Sequence, residues 1–215
     1  MLEVTKFVNS LFTSNTYVIS HPKFDDVWVV DPGDTDNVFE WMNNHSKTII
    51  TGILLTHAHF DHIYGINEIL VRFPQCVVYI ANEYGKNALH DAKINCSKYT
   101  EEGPIEIFAG ADIKYYPSFL RLWDGIELHS FNTPGHSDDS QCFVVDGFLF
   151  TGDTLIKDVR TVTKLKGGAI DKLKESMEII SQLKGNGLKD MPGHGEEFEL
   201  DEYDLTEMMK KSIIN

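Results

Sequence analysis

The sequence predicts an α/β fold in four layers, an αββα sandwich with two sheets face to face and helices outside. Two observations lead there. Strand-like runs fall into two groups, and each group is followed by segments with helical periodicity. One strand-like run, TIITGILLT, is almost continuously apolar, which suits a strand buried on both faces. No repeat, low-complexity run or Pro/Gly/Ser-rich linker interrupts the chain, so a single domain over residues 1–215 is expected.

The first group opens with LEVTKFV, NTYVIS and DDVWVVD, rich in β-branched and aromatic residues and separated by turn residues. A short helix is expected over residues 36–44, where Val38, Phe39, Trp41 and Met42 supply an apolar face. TIITGILLT, residues 48–56, reads as a buried strand. Ile66, Ile69, Leu70 and Phe73 then mark a helix that Pro74 stops, and residues 76–80 form another strand. The second group is GIELHSFNTPGH followed by QCFVVDGFLFTGDTL. Asp146-Gly147 between apolar runs signals a hairpin. Ile170, Leu173, Met177, Ile180 and Leu183 mark an amphipathic helix, residues 188–191 a strand and residues 203–211 a closing helix. In residues 82–122 short helical and turn signals alternate with aromatics. Their aromatics, with Tyr115, Tyr116, Phe119 and Trp123 foremost, are expected to overhang the functional site.

Composition narrows the function. A net charge of −14, from 33 acidic against 19 basic residues, opposes binding to a polyanion and fits a small-molecule substrate rather than nucleic acid. Cys76, Cys96 and Cys142 are scattered and form no CxxC, so reduced thiols are expected. No signal peptide or membrane-spanning run is visible, which leads to the expectation of a soluble cytoplasmic protein with no membrane partner; the oligomeric state is left open.

The chemistry concentrates in four motifs. Thr56-His57-Ala58-His59-Phe60-Asp61-His62 places three imidazoles and a carboxylate directly after a buried strand. In extended backbone His57 and His59 point to one side, while Asp61 and His62 would open the next helix and face a neighbouring position. His136 in TPGHS, Asp153 in TGDTL and His194 in PGHG each end a strand-like run. A glycine before each of these donors lets the backbone approach closely. One such motif alone is commonly just a turn. Five of the nine histidines in four motifs of this order point to a metal site, and the mixture of imidazole and carboxylate suits zinc, and also iron or manganese. No GxSxG, GxxxxGK[ST] or GxGxxG competes.

In order, HxHxDH, TPGHS, TGDTL and PGHG resemble the metallo-β-lactamase superfamily, and within it the glyoxalase II-like hydrolases. The resemblance implies an αββα sandwich of that type with two divalent metal ions, zinc first among them, at one edge. It implies one ion on His57, His59 and His136, the other on Asp61, His62 and His194, and Asp153 between them. Asp31 in VVDPG resembles the Asp that supports the metal loop in that family. The implied reaction is hydrolysis of a small thioester or ester by a metal-bound hydroxide, with Asp61 orienting water or passing a proton to the leaving group. Arg160, Lys164 and Lys166 follow Asp153 where related hydrolases place substrate-binding bases, although a solvated loop is the simpler reading. Two departures stand out. Glyoxalase II enzymes carry a helical domain after the core, whereas residues 195–215 alone follow His194, which weakens the expectation of a glutathione thioester. Asp138-Asp139-Ser140 replaces the family's usual Pro-Gly-small stretch. The alternatives are a mononuclear-iron persulfide dioxygenase-like oxidoreductase, a nuclease of the same superfamily, and a regulatory protein that has lost catalysis.

These assignments separate two aspartates. Asp153→Ala should abolish hydrolysis and weaken binding of at least one metal, while Asp146→Ala, in the hairpin turn, should leave both nearly intact. Metal analysis and turnover of the two variants check this, and equal behaviour would contradict the reading of TGDTL.

Overall fold

Turn residues punctuate the first thirty positions, and three strands form between them: β1 (Glu3–Val8), β2 (Asn15–Ser20) and β3 (Asp26–Val30), paired antiparallel in sequence order. The structure, a computed structural model, describes residues 1–205. It falls into two compact units, Met1–Tyr115 and the chain from Tyr116 onward.

In the first unit α1 (Thr35–Asn44) leads to β4 (Ile49–Leu54), and α2 (Ile66–Arg72) to β5 (Val77–Ile80). A short α3 (Glu83–Ala88) and a long loop lead to β6 (Asp112–Tyr115). The sheet runs β1-β2-β3-β4-β5-β6, with β3 to β6 mutually parallel. Helical spacing turns Val38, Phe39 and Met42 of α1 and Ile66, Ile69 and Leu70 of α2 into one core with Val18, Val27, Val29, Ile50, Ile53, Val78 and Ile80. Each such side chain stabilises the fold by about 1.5–3 kcal/mol through removal from water. Tyr17, Ile19, Trp28, Val30 and Leu54 alternate with these residues and are buried too, so β2, β3 and β4 are covered on both faces, as their apolar runs require. α2 ends at Arg72, two residues before Pro74.

In the second unit β7 (Phe119–Trp123), β8 (Ile126–Asn132), β9 (Gln141–Val145) and β10 (Phe148–Gly152) form an antiparallel meander. The turn between β9 and β10 has both Asp146 (φ 46°) and Gly147 (φ 89°) in the left-handed region, which twists the hairpin correctly. α4 (Ile170–Ser181) crosses to β11 (Lys189–Pro192), parallel to β10, and the two-residue β12 (Phe198–Glu199) completes the order β12-β11-β10-β9-β8-β7. Leu173, Met177 and Ile180 of α4 pack on Cys142, Leu149, Leu155 and Leu188.

Strand direction places the chemistry. β8, β10 and β11 run the same way, so the segments after their C-terminal ends, which carry His136, Asp153 and His194, emerge at one edge of the second sheet. In the first sheet parallel β3 and β4 likewise deliver Asp31 and the HxHxDH loop to one edge.

The expected helix over 36–44 begins one residue earlier, at Thr35, and the strand over 188–191 is shifted by one. Residues 82–122 contain α3, in keeping with their short helical signals, and also the four-residue edge strand β6 and most of β7, which the sequence does not signal. Trp123 does not reach His136. β7 runs antiparallel to β8 and pairs Trp123 with Ile126, at the start of β8, about 20 Å along the strand from its other end. Phe119 packs its ring edge-on against His129 and is otherwise exposed, and Tyr115 donates its hydroxyl to Glu83. Tyr116 lies against Phe143. The closing helix expected over 203–211 lies, from residue 206 on, outside the described residues.

Two glycines test the packing. Gly135 has φ 145°, and a Cβ there would lie 2.5 Å from the Leu173 backbone of α4, whereas Gly147 faces open space. Gly147→Ala should cost about 1 kcal/mol, the conformational penalty alone. Gly135→Ala should cost clearly more, because helix backbone has to move. Urea unfolding of both variants measures the difference.

Candidate metal centre

Asp31 organises the donor loop of the first unit. It stands at φ 46°, a conformation that costs a non-glycine residue on the order of 1–3 kcal/mol. Its backbone N–H donates to Leu54 O at 3.2 Å, and its carboxylate accepts from Thr56 N (2.8 Å), Thr56 Oγ1 (2.6 Å) and His62 Nδ1 (3.2 Å). Its oxygens are thus engaged in holding the loop, and it lies within 4.8 Å of donor atoms of His57 and His62.

These contacts fix which nitrogen of each imidazole carries the proton. The Thr56 hydroxyl spends its only proton on Asp31, so at 3.1 Å from His57 Nδ1 it must accept, and His57 is an Nδ1–H tautomer. His62 Nδ1 likewise donates to Asp31. In both rings the lone pair resides on Nε2, the arrangement by which supporting groups orient metal-binding histidines. His57 and His59 meet edge-to-face at 4.7 Å between ring centroids, as their two-residue spacing in extended chain predicts. His57 and His62 are 4.3 Å apart. Asp61 and His62 lie not in the following α-helix but in a separate 3-10 turn, Phe60–His62, with Asp61 Oδ2 3.5 Å from His62 Nε2. The Ser14 hydroxyl donates to the Asp61 carbonyl at 2.7 Å and is itself held by Asn9. All four donors are buried.

In the second unit His136 and His194 flank Asp153. Its Oδ2 lies 3.6 Å from His136 Nε2 and 3.5 Å from His194 Nε2. His136 Nδ1 lies 2.8 Å from the Val162 carbonyl, which can only accept, so here too Nε2 bears the lone pair. Val162 belongs to a strip, Arg160 to Lys164, that lines a cavity of about 220 Å³. The loop carrying Arg160 and Lys164 is thus tied to a predicted metal-binding imidazole.

The other polar side chains near these motifs, and the other four histidines, have structural roles. Ser140 Oγ accepts from Ser137 N, Ser140 N donates to Ser137 O, and the Ser137 hydroxyl donates to Asp139, so both serines build the turn after His136. Asp138 pairs with Lys172 of α4. His45 stacks on Trp41, His90 Nδ1 meets the Ile107 carbonyl, His21 accepts from Lys23 N and His129 packs on Phe119, structural roles in each case. Burial pushes the Cys76 and Cys142 thiols up to about 12, which makes them inert at neutral pH, and Cys96 is half-buried. Sequence reasoning missed the Thr56 relay and the Val162 carbonyl. The first is signalled by a hydroxyl residue directly before the histidine; the second has no sequence signal, because any residue supplies a carbonyl.

The relay makes a prediction. Thr56→Val keeps side-chain shape but removes the acceptor for His57 Nδ1, and metal affinity should fall about 10- to 100-fold with the fold retained. Metal competition titration with circular dichroism checks both halves.

Comparison with known proteins agrees with this geometry. The hydroxyacylglutathione hydrolase of Idiomarina loihiensis is 36% identical over 131 residues, 61% of this chain and 42% of its own length. That of Shewanella oneidensis is 30% identical over 159 residues, 72% of this chain and 52% of its own. The chain therefore spans about half the length of these curated relatives. The crystal structure of BLEG-1 B3 metallo-beta-lactamase is 26% identical with a TM-score of 0.81, over 92% of this chain and 94% of that one. The family described as the metallo-beta-lactamase superfamily matches residues 10–213. With its two sheets, parallel-strand donor loops and this match, the chain has the α/β metallo-β-lactamase fold and belongs to the metallo-beta-lactamase superfamily.

Proposed function

We propose that the chain is a dinuclear metal-dependent hydrolase that cleaves a small thioester or ester. The observation that carries this reading is the Asp153 carboxylate, one of whose oxygens lies nearly equidistant from two imidazole Nε2 atoms. A carboxylate shared in this way suits a bridge between two cations, and the names of the curated relatives favour thioester hydrolysis. In this reading His57, His59 and His136 hold one ion, Asp61, His62 and His194 the other, and Asp153 both. The donor set, five imidazoles and two carboxylates, fits zinc and also iron or manganese.

Two divalent cations so held would supply a nucleophile from water near neutral pH and polarise a carbonyl. The chain's own groups do the rest. Asp31 and Thr56 keep the His57 and His62 rings from turning, so donor geometry is set in advance. Asp61 holds the attacking water by its carboxylate and carries the proton that water loses to the departing thiolate or alkoxide, so that an acid and a thiol or alcohol leave. The loop of Arg160 and Lys164 is anchored to His136 through Val162 and lines a cavity; in this reading its basic side chains favour a substrate bearing a negative charge. The likeness to BLEG-1 over nearly its full length favours a second reading, opening of a β-lactam amide by the same groups.

Fully loaded protein should contain about two metals per chain. A panel of thioesters, lactones, phosphodiesters and β-lactams should show thioester or ester turnover above the rest. One iron per chain, with oxygen consumed on a persulfide, would overturn the proposal, and preferential β-lactam turnover would establish the second reading.

A further inference from the structure

Asp190 lies in the middle of β11, wholly buried, and among the described residues has no ion-pair partner. Its Oδ2 has no hydrogen-bond partner, and its Oδ1 is 2.7 Å from the Thr151 hydroxyl. That hydroxyl oxygen is also 3.0 Å from the Leu155 carbonyl. Proton counting decides the arrangement. A carbonyl only accepts, and a hydroxyl has one proton. If Thr151 gave its proton to an ionised Asp190, its oxygen would face the buried Leu155 carbonyl with no proton between them. A full negative charge would also sit uncompensated in the core. If Thr151 donates to Leu155 O, the contact with Asp190 requires the proton to come from Asp190, and every close approach becomes a hydrogen bond.

The surroundings agree. Across the sheet Asp190 pairs with Leu149 of β10 and Phe198 of β12, both apolar. Among the described residues the titratable group near enough to sense its charge is the Cys142 thiol of β9, which burial keeps neutral. Burial likewise pushes the Asp190 carboxyl well above the usual carboxylate range.

The chain from Asp190 through Thr151 to Leu155 spans the turn that presents Asp153. Thr154 N donates to Thr151 O at 3.0 Å, Gly152 takes φ 50°, and Gly193 N donates to Gly152 O at 2.9 Å. Binding the Thr151 side chain to Leu155 ties the two ends of this turn together with Asp153 between them. We propose that Asp190 is a positioning residue, present in the native fold as the un-ionised acid, that closes this turn through Thr151 and so aims the Asp153 carboxylate. The proposal rests on the reading of Asp153 as a metal ligand.

The test uses the metal-loaded protein and four variants: Asp190→Asn, Asp190→Val, Thr151→Val and Asp153→Ala. Metal affinity is read by chelator competition and stability by thermal unfolding from pH 5 to pH 8. Asp190→Val and Thr151→Val should each weaken the binding of at least one metal tenfold or more, and Asp190→Asn, whose amide still donates to Thr151, should restore wild-type affinity. The sign of the pH dependence is fixed. An acid whose folded pKa is raised holds its proton in the fold after the unfolded chain has lost it, above about pH 4, so wild-type stability declines from there upward. The melting temperature of Asp190→Asn should therefore rise relative to wild type as pH increases from 5 to 8. A difference that stays flat with pH, or an Asp190→Asn variant that binds metal as weakly as Thr151→Val, overturns the proposal. If Asp190→Val does not fold, Thr151→Val and the pH series still decide. Unchanged metal affinity in Asp153→Ala would refute the ligand reading itself, while the pH series would still report the proton on Asp190.

Discussion

The Asp31 carboxylate accepts hydrogen bonds from the Thr56 amide, the Thr56 hydroxyl and His62 Nδ1, and does so from a backbone conformation that a non-glycine residue rarely adopts. Everything in the first donor loop depends on that small network. It joins the ends of parallel β3 and β4, converts strand pairing into loop geometry, and determines which nitrogen of two imidazoles bears a lone pair. The unfavourable φ is offset by hydrogen bonds made in a buried, low-dielectric place, where each is costly to lose. The surrounding loop is held by the same means: Asn9 binds Ser14 and Thr16, Thr16 donates to the Asp31 carbonyl, and Ser14 donates to that of Asp61.

The second unit solves the same problem with strand direction and tight turns. Three strands that point one way end at one edge, and each is followed by a glycine-containing turn. Gly135 passes so close to α4 that no side chain fits, and Ala169 N at the head of that helix donates to the Gly135 carbonyl. The donors at this edge are therefore placed by main-chain packing and by buried hydroxyls: Thr133, Thr151, Thr154 and Thr161 all bond within the second unit. Both units spend buried polar groups on aiming side chains, a use of stability that makes sense at a site of chemistry.

Much of this was legible in the sequence because it is local. HxHxDH, VVDPG and the TPGH and TGD turns are short, and their chemistry follows from spacing and residue type. The buried strands announced themselves by apolar runs, and Asp146-Gly147 by turn chemistry. What was not legible depends on partners distant in sequence or on backbone atoms. β6 is a four-residue, largely exposed edge strand without an apolar face to read. The aromatics around it looked like a pocket wall, but Trp123 is directed away by the antiparallel return of β7, a matter of register. The Val162 carbonyl carries no sequence signature. Asp190 reads as one polar residue in a short strand, and only its contact with Thr151, 39 residues away, gives it meaning.

The central claim is that the histidines are preset for a cation by hydrogen bonds already present in the chain. The direct measurement is long-range 15N–1H correlation NMR of the histidine side chains in metal-free protein at pH 8. The hydrogen bonds of His57, His62 and His136 predict that each ring carries its proton on Nδ1 and leaves Nε2 bare. Protonation at Nε2, or rapid averaging between the two nitrogens in these rings, would contradict it.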